Sequence, residues 1–145
     1  MKPNVRGLLV SDRDDRLVTI ETVLDLLSVE TTRVRNCVEA EACLCDTPAP
    51  HLVVADTVLS DGNWLDLMDN AAKVKEKVTL IVVSPFADVN LYIEVMNHGA
   101  FDFITESFTV PEVTHVLRSA IDSALRARIG RKPSRRSSAC LAPIG

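Results

Sequence analysis

The sequence contains no long apolar run, and this absence excludes the membrane-spanning classes of protein. No stretch approaches the roughly 20 apolar residues that a helix needs to cross a bilayer. Residues 1–4 also lack the pattern of a signal peptide and lead directly into a strand-like segment. We therefore expect a cytoplasmic protein without a membrane association.

Paired cysteine and histidine motifs are also missing, which argues against a zinc site. Cys43 and Cys45 form a C-x-C pair inside a predicted helix, and the sequence has no C-x-x-C pair. His51, His98 and His115 are scattered along the chain. We expect the four cysteines to be reduced thiols and the histidines to have no metal-binding role.

Acidic residues are absent from the last part of the chain. Residues 1–125 contain 20 acidic and 10 basic residues, whereas residues 126–145 contain 6 basic residues and no acidic ones. The 145 residues are 47% hydrophobic, which is enough for one domain with a core. We expect a folded domain over residues 1–127 and a basic, disordered tail over residues 128–145. An acidic domain is a poor platform for nucleic acid, so direct nucleic-acid binding is not expected.

What the sequence does contain is a regular alternation of strand and helix patterns. Short apolar runs predict five strands, at residues 5–11, 31–35, 51–56, 78–84 and 101–105. Helical patterns predict five helices, at residues 17–27, 38–45, 64–72, 89–97 and 110–126. This order predicts an α/β fold in which a doubly wound, five-stranded parallel sheet has helices on both faces.

Polar side chains follow four of these strands, and the fold should bring them together. They are Ser11, Asp12, Arg13 and Asp14 after the first strand, Asp56 after the third, Ser84 after the fourth and Glu106 after the fifth. Carboxyl ends of parallel strands meet at one edge of the sheet, so we expect a site there. Several carboxylates at one point repel each other unless a cation intervenes, which predicts a magnesium ion. A carboxylate beside such an ion can attack phosphorus and become an aspartyl-phosphate.

Four stretches together resemble the receiver domain of bacterial two-component response regulators, over about residues 5–125. "LLVSDRDD" resembles the family's first strand and acidic cluster, and "HLVVADTVLSDGNWLDLM" resembles its third strand, phosphoacceptor and following loop. "LIVVS" resembles the fourth strand with its hydroxyl residue, and "VMNHGAFDFITESF" resembles the stretch that ends in the family's Lys-Pro-Phe. The resemblance implies the flavodoxin-like fold of receivers and a role in phosphorelay signal transduction.

The resemblance also assigns roles to individual residues. Asp56 would be the phosphoacceptor, Ser84 the hydroxyl that contacts the phosphoryl group, and Phe103 the aromatic residue that switches position. The ligands of Mg2+ would be Asp12, Asp14, Asp56 and Val58.

The implied partners are proteins. The chain would not be an enzyme with a substrate of its own, because it would receive a phosphoryl group from a histidine kinase or a phosphotransfer protein. It would signal to a downstream output protein. A homodimer is a further expectation, through the face of the fourth helix, fifth strand and fifth helix.

The acidic pair of the family fits this sequence in two registers. With Asp12 at the first position, Leu17 falls on the buried face of the first helix, but Arg13 then occupies the position that binds magnesium directly. With Ser11 and Asp12 at the pair, the direct ligand is kept, and Arg16 falls where an apolar residue is expected. We favour the first register on sequence grounds. One carboxylate of the family is missing in both.

Glu106 stands where the family has a lysine that pairs with the acceptor and then with the phosphoryl oxygens. The reversed charge turns that attraction into a repulsion. Arg13 is a candidate for the lost positive charge, since a guanidinium binds phosphate well. The alternative is that Glu106 points to solvent. Ser107 replaces the usual proline of the next position.

The alternative function is a degenerate pseudo-receiver that binds a protein partner without phosphorylation. Two other classes fit less well. Phosphohydrolases of the haloacid dehalogenase type share a D-x-D motif after a strand, but they have Thr or Val where this chain has Arg16. A flavodoxin-like electron carrier needs hydroxyls and amides for its flavin phosphate, whereas the loop after the first strand offers acids.

Overall fold

Five parallel strands form one sheet in the computed structural model, which describes residues 5–13, 17–45 and 49–130, with the backbone alone for 129 and 130. In chain order the strands are β1 (Arg6–Val10), β2 (Glu30–Val34), β3 (Leu52–Asp56), β4 (Val58–Leu59), β5 (Gly62–Asn63), β6 (Thr79–Ser84) and β7 (Asp102–Thr105). The parallel sheet has the order β2-β1-β3-β6-β7, while β4 and β5 form a separate antiparallel pair. The strand order reverses between β1 and β3, which is the point where such sheets bind ligands.

Five helices connect these strands within the described ranges. They are α1 (Val18–Leu26), α2 (Cys37–Leu44), α3 (Trp64–Ala72), α4 (Val89–Asn97) and α5 (Val110–Gly130). The Asn36, Asn63 and Asp88 side chains cap α2, α3 and α4 by accepting hydrogen bonds from the first backbone amides of each helix. None of the described helices combines the length and the apolar content that a membrane crossing requires.

The sheet separates two hydrophobic cores. Leu8 and Leu9 are neighbours on β1 and are each 1% exposed, but Leu8 packs into the core under α2, α3 and α4, whereas Leu9 packs into the core under α1 and α5. All residues of β3 and β6 are buried, which explains why their sequences read as unbroken apolar runs. The predicted α/β, doubly wound fold is confirmed.

The predicted elements differ from the observed ones at a few ends. The predicted bounds of α3 and α4 are confirmed, and the strands of the parallel sheet agree with the prediction to within one or two residues at either end. The short pair of β4 and β5 was not predicted. The helix predicted to end at residue 126 continues to Gly130, so the domain boundary placed between 127 and 128 falls inside α5. Among the described residues, Cys37, Cys43 and Cys45 form no disulfide, and Cys140 lies outside these residues.

Arg128 explains why the helix continues beyond its predicted end. Its guanidinium donates hydrogen bonds to the carbonyl oxygens of Ala49, Pro50 and Lys77, at 2.8, 2.6 and 3.1 Å. It also forms an ion pair with Glu76 at 3.9 Å, and the other oxygen of that carboxylate accepts a hydrogen bond from the Ala49 amide. The last turn of α5 is thereby fixed to two loops at the amino-terminal edge of the sheet.

We predict that Arg128→Ala lowers the free energy of unfolding by about 1–3 kcal/mol, because three carbonyl groups lose a charged donor. The Arg128 side chain is only 14% exposed, so water does not fully replace it. Urea unfolding measures the change, and Arg126→Ala is the matched control because Arg126 is exposed on the same helix. Equal stability of the two variants would contradict the anchoring role.

Candidate functional site

Four buried polar side chains lie at the carboxyl ends of neighbouring strands. Ser11 follows β1, Asp56 ends β3, Ser84 ends β6 and Thr105 ends β7, with exposed fractions of 7%, 3%, 3% and 6%. Strand register brings them to one edge. The pairing of β1 with β3 ends at Val10 and Ala55, which directly precede Ser11 and Asp56, and Ser84 pairs with Thr105. Thr105 was not predicted as a site residue, because in the sequence it is only the last residue of an apolar strand.

Asp56 is almost fully buried, and both of its carboxylate oxygens accept hydrogen bonds. Oδ1 accepts from the backbone amide of Thr57 at 3.0 Å, and Oδ2 accepts from the hydroxyl of Ser11 at 3.0 Å. A buried carboxylate is tolerated only when such partners replace the water that it has lost. The two bonds therefore hold the Asp56 side chain in one orientation at the edge of the sheet.

The Ser11 hydroxyl connects Asp56 to the loop after β1. It accepts a hydrogen bond from the Arg13 amide at 3.1 Å and lies 3.2 Å from the Arg13 carbonyl oxygen. Asp12 and Arg13 are exposed. Ser11 is therefore the residue of this loop that contacts Asp56, and the register of the acidic pair stays a prediction. Strand pairing sets the position of Ser11. Leu17 is buried in the core, where it is 1% exposed.

Ser84 lies at the same edge, on the strand beside Asp56. The preceding residue, Val83, is the register partner of Asp56. The Ser84 hydroxyl accepts a hydrogen bond from the Phe86 amide at 3.2 Å. The side chain is 3% exposed and is thus held where β6 ends. Hydroxyl groups therefore follow both strands that flank β3.

Glu106 and Arg13 line the same cavity, which has a volume of about 430 Å3 and opens between α1, β7 and α5. Both side chains are exposed, and the cavity also includes Thr105 and Phe108. Ser107 stands at the position of the family proline. Its hydroxyl oxygen lies 2.7 Å from the hydroxyl oxygen of Thr105. The loop after β7 is thus held by a side-chain hydrogen bond.

Phe103 connects the interior of the sheet to an exposed helix face. Its side chain is 4% exposed and lies in the core under α2, α3 and α4. The ring contacts Tyr92 of α4 edge to face, with ring centroids 5.9 Å apart and an angle of 74° between the planes. Tyr92 is 44% exposed, so a movement of the Phe103 ring would change the surface of α4.

The groups at the edge of the sheet that could bind a metal ion offer oxygen atoms, which is the ligand type that magnesium requires. Asp56 and Asp12 supply two carboxylates, and Val58, with its side chain 71% exposed, has only a main-chain carbonyl to contribute. Among the described residues, no three acidic, cysteine or histidine side chains form a metal cluster. Asp14 lies outside the described residues. One or two carboxylates with water and phosphate oxygens suffice for magnesium, so the residues present fit this ion.

Comparison with known proteins gives a curated relative that is a signalling protein. No protein-family model matches the chain. The response regulator protein PilR of Pseudomonas aeruginosa is 28% identical over 123 residues, which are 85% of this chain and 26% of PilR. The chain therefore spans about a quarter of the length of this relative.

Solved structures of receiver domains share the fold. The signal receiver domain of a LuxO repressor protein from Vibrio parahaemolyticus superposes with a TM-score of 0.80 at 17% identity, over 90% of this chain and 100% of that one. The beryllofluoride-activated NtrC4 receiver domain dimer gives a TM-score of 0.73 at 19% identity, over 82% and 98%. The chain therefore has the fold of these receiver domains and a sequence similar to that of a response regulator.

A carboxylate in the loop after Asp56 stabilises the domain around the candidate site. Asp61 accepts hydrogen bonds from the amides of Cys37 and Val38, at 2.8 and 3.1 Å, and so ties this loop to the start of α2. The bond from the Cys37 amide is the main reason why the pKa of Asp61 lies below its ordinary value of 3.8. Burial, with the nearby Asp61 carboxylate, raises the pKa of the Cys37 thiol to about 11.

We predict that Asp61→Asn destabilises the receiver domain in a pH-dependent way. The folded-state pKa of Asp61 is depressed, so its contribution is fully present above pH 3.8 and is lost as the pH falls through the folded-state pKa. Urea unfolding at a series of pH values should show a gap between wild type and variant at neutral pH that narrows in acid. Asp69→Asn, at an exposed position of α3, should show no such gap. A difference in unfolding free energy that does not change with pH would contradict the stabilising role of the Asp61 carboxylate.

Proposed function

We propose that the receiver domain is controlled by phosphorylation of Asp56, with a histidine kinase or a phosphotransfer protein as donor. The observation that carries this proposal is the buried, doubly hydrogen-bonded Asp56 carboxylate at the switch point of the sheet. Ser11 follows the strand on one side of it, and Ser84 ends the strand on the other. A buried carboxylate at the edge where ligands bind is a functional-site candidate. A cytoplasmic location and the identity of the donor stay predictions.

In the transfer step the Asp56 carboxylate is the nucleophile, and the donor's phosphohistidine supplies the phosphoryl group. One oxygen of Asp56 forms a bond to phosphorus as the bond from phosphorus to the donor's imidazole nitrogen breaks. The electron pair of that bond stays with the imidazole, which takes up a proton. The hydroxyl of Ser84 then contacts a phosphoryl oxygen, as the resemblance implies.

Magnesium would be held by Asp12, Asp56 and the main-chain carbonyl of Val58, with Asp14 as a further ligand. When bound, the ion neutralises negative charge on the phosphoryl oxygens. The protein's own part is to hold the Asp56 oxygens in place, because the Ser11 hydroxyl and the Thr57 amide fix both of them.

The signal would leave the domain through α4. Phe103 contacts Tyr92 from inside, and the outer face of this region exposes Phe86, Val89 and Ile93 at 74%, 69% and 49%. An apolar surface of this kind marks a protein contact. We propose that it binds a downstream protein or a second copy of the chain, with β7 and α5 completing the face.

A second candidate function is a pseudo-receiver that binds its partner constitutively. The specific observation in its favour is Glu106, an exposed carboxylate at the position of the family lysine. A negative charge there opposes a phosphoryl group on Asp56.

The test of phosphorylation is intact-mass analysis after incubation with acetyl phosphate and magnesium. We expect the wild-type chain to gain one phosphoryl group and Asp56→Asn to gain none. Asp25→Asn, which changes an exposed aspartate of α1, is the matched control and should label like wild type. An unlabelled wild-type chain would favour the pseudo-receiver, and equal labelling of Asp56→Asn would show that the acceptor lies elsewhere.

For the surface, we predict that phosphorylation shifts the chain from monomer to dimer and that Val89→Asp prevents the shift. A charge at this position breaks up the apolar patch on α4. Light scattering with and without acetyl phosphate and magnesium measures the molar mass. Leu26→Asp on α1, at 79% exposure, is the control and should dimerise like wild type. If Leu26→Asp blocks dimerisation and Val89→Asp does not, the contact lies on α1, and the prediction for α4 is wrong.

A further inference from the structure

Two residues near the acceptor carry charges that would act on a phosphoryl group there. Glu106 follows β7, where the family has its phosphate-binding lysine, and Arg13 follows Asp12 in the loop after β1. Both line the cavity of about 430 Å3 that also includes Thr19, Thr105 and Phe108. Among the described residues that line this cavity, Arg13 is the basic one.

The main chain of Arg13 is held close to the acceptor. Its amide donates a hydrogen bond to Ser11 Oγ at 3.1 Å, and the same hydroxyl donates to Asp56 Oδ2 at 3.0 Å. One hydroxyl group therefore separates the Arg13 backbone from the carboxylate. A flexible arginine side chain is long enough to cover that distance.

We propose that the Arg13 guanidinium is the phosphate-binding cation of this receiver, in place of the missing lysine. The inference rests on the proposed phosphorylation of Asp56. A guanidinium presents paired N–H donors that match two oxygens of a phosphoryl group, and such charge-assisted bonds are the strong ones. Positive charge would thus reach the phosphoryl group from the loop after β1 and not from the loop after β7.

Glu106 becomes a competitor of the phosphoryl group in this arrangement. Its carboxylate lines the same cavity and attracts the same guanidinium. A phosphoryl group carries more negative charge than a carboxylate and offers three oxygens, so it draws Arg13 towards Asp56. The competition lowers both the amount and the lifetime of the phosphorylated chain.

The test compares acetyl phosphate labelling and the lifetime of the phosphoryl group among four variants. Arg13→Gln should lower the labelling rate by about tenfold or more, the factor that one charge-assisted hydrogen bond contributes. Glu106→Gln should lengthen the lifetime, because it removes the competitor. The double variant Arg13→Gln/Glu106→Lys should restore labelling, because it returns the cation to the β7 side. Arg118→Gln is the matched control, since Arg118 is exposed on α5 and does not line the cavity.

Several outcomes would overturn the inference. If Arg13→Gln labels as fast as wild type, Arg13 does not bind the phosphoryl group. If Arg13→Gln is slow and the double variant stays equally slow, the arginine acts through the structure of the loop and not through its charge. If the wild-type chain does not label at all, the proposed function fails and the inference fails with it. Urea unfolding of each variant shows whether the fold is retained.

Discussion

The hydrogen bond between Ser11 and Asp56 is the interaction on which the organisation of the site depends. It joins the ends of two neighbouring parallel strands at the point where the strand order reverses. Burial of Asp56 makes this bond necessary, because an unpaired carboxylate in the interior would cost several kilocalories per mole. The same hydroxyl accepts a hydrogen bond from the Arg13 amide and so fixes the start of the loop that carries Asp12 and Arg13. One hydroxyl group thus helps to position both the Asp56 carboxylate and the charges near it.

Two parts of the molecule support this edge of the sheet. Asp61 joins the loop after the acceptor to α2, and the capping box of Asn63 and Asp66 starts α3 directly after that loop. On the other side, Phe103 lies in the core beneath α4 and contacts Tyr92. The core beneath α4 is therefore linked to the exposed face of that helix through packed side chains, which is the kind of connection that a two-state surface requires.

Much of the fold was predictable from the sequence, because β3 and β6 are buried on both faces and read as apolar runs. The position of Asp56 at the end of β3 was predictable for the same reason, because it ends such a run. The β4 and β5 pair has two residues in each strand, too few to show a periodicity. The last turn of α5 was missed because its basic residues resemble a solvated tail, whereas Arg128 binds carbonyls distant in sequence.

The contact between Ser11 and Asp56 was not predictable from the sequence, for a physical reason. The apolar periodicity of α1 depends on Leu17 and says nothing about how many residues the preceding loop contains. Pairing between β1 and β3 sets the position of Ser11, and this pairing is not visible in the local sequence. The charge reversal at Glu106 was readable from the sequence, but the cavity that it shares with Arg13 needed the fold.

The central claim is that a group on Asp56 is sensed at the strand ends and transmitted to α4. Amide NMR spectra recorded with and without beryllofluoride and magnesium test it most directly. We predict magnesium-dependent shifts at Ser11, Asp56 and Ser84 and a second group of shifts around Phe103 and Tyr92. Spectra that do not change near Asp56 would contradict the claim.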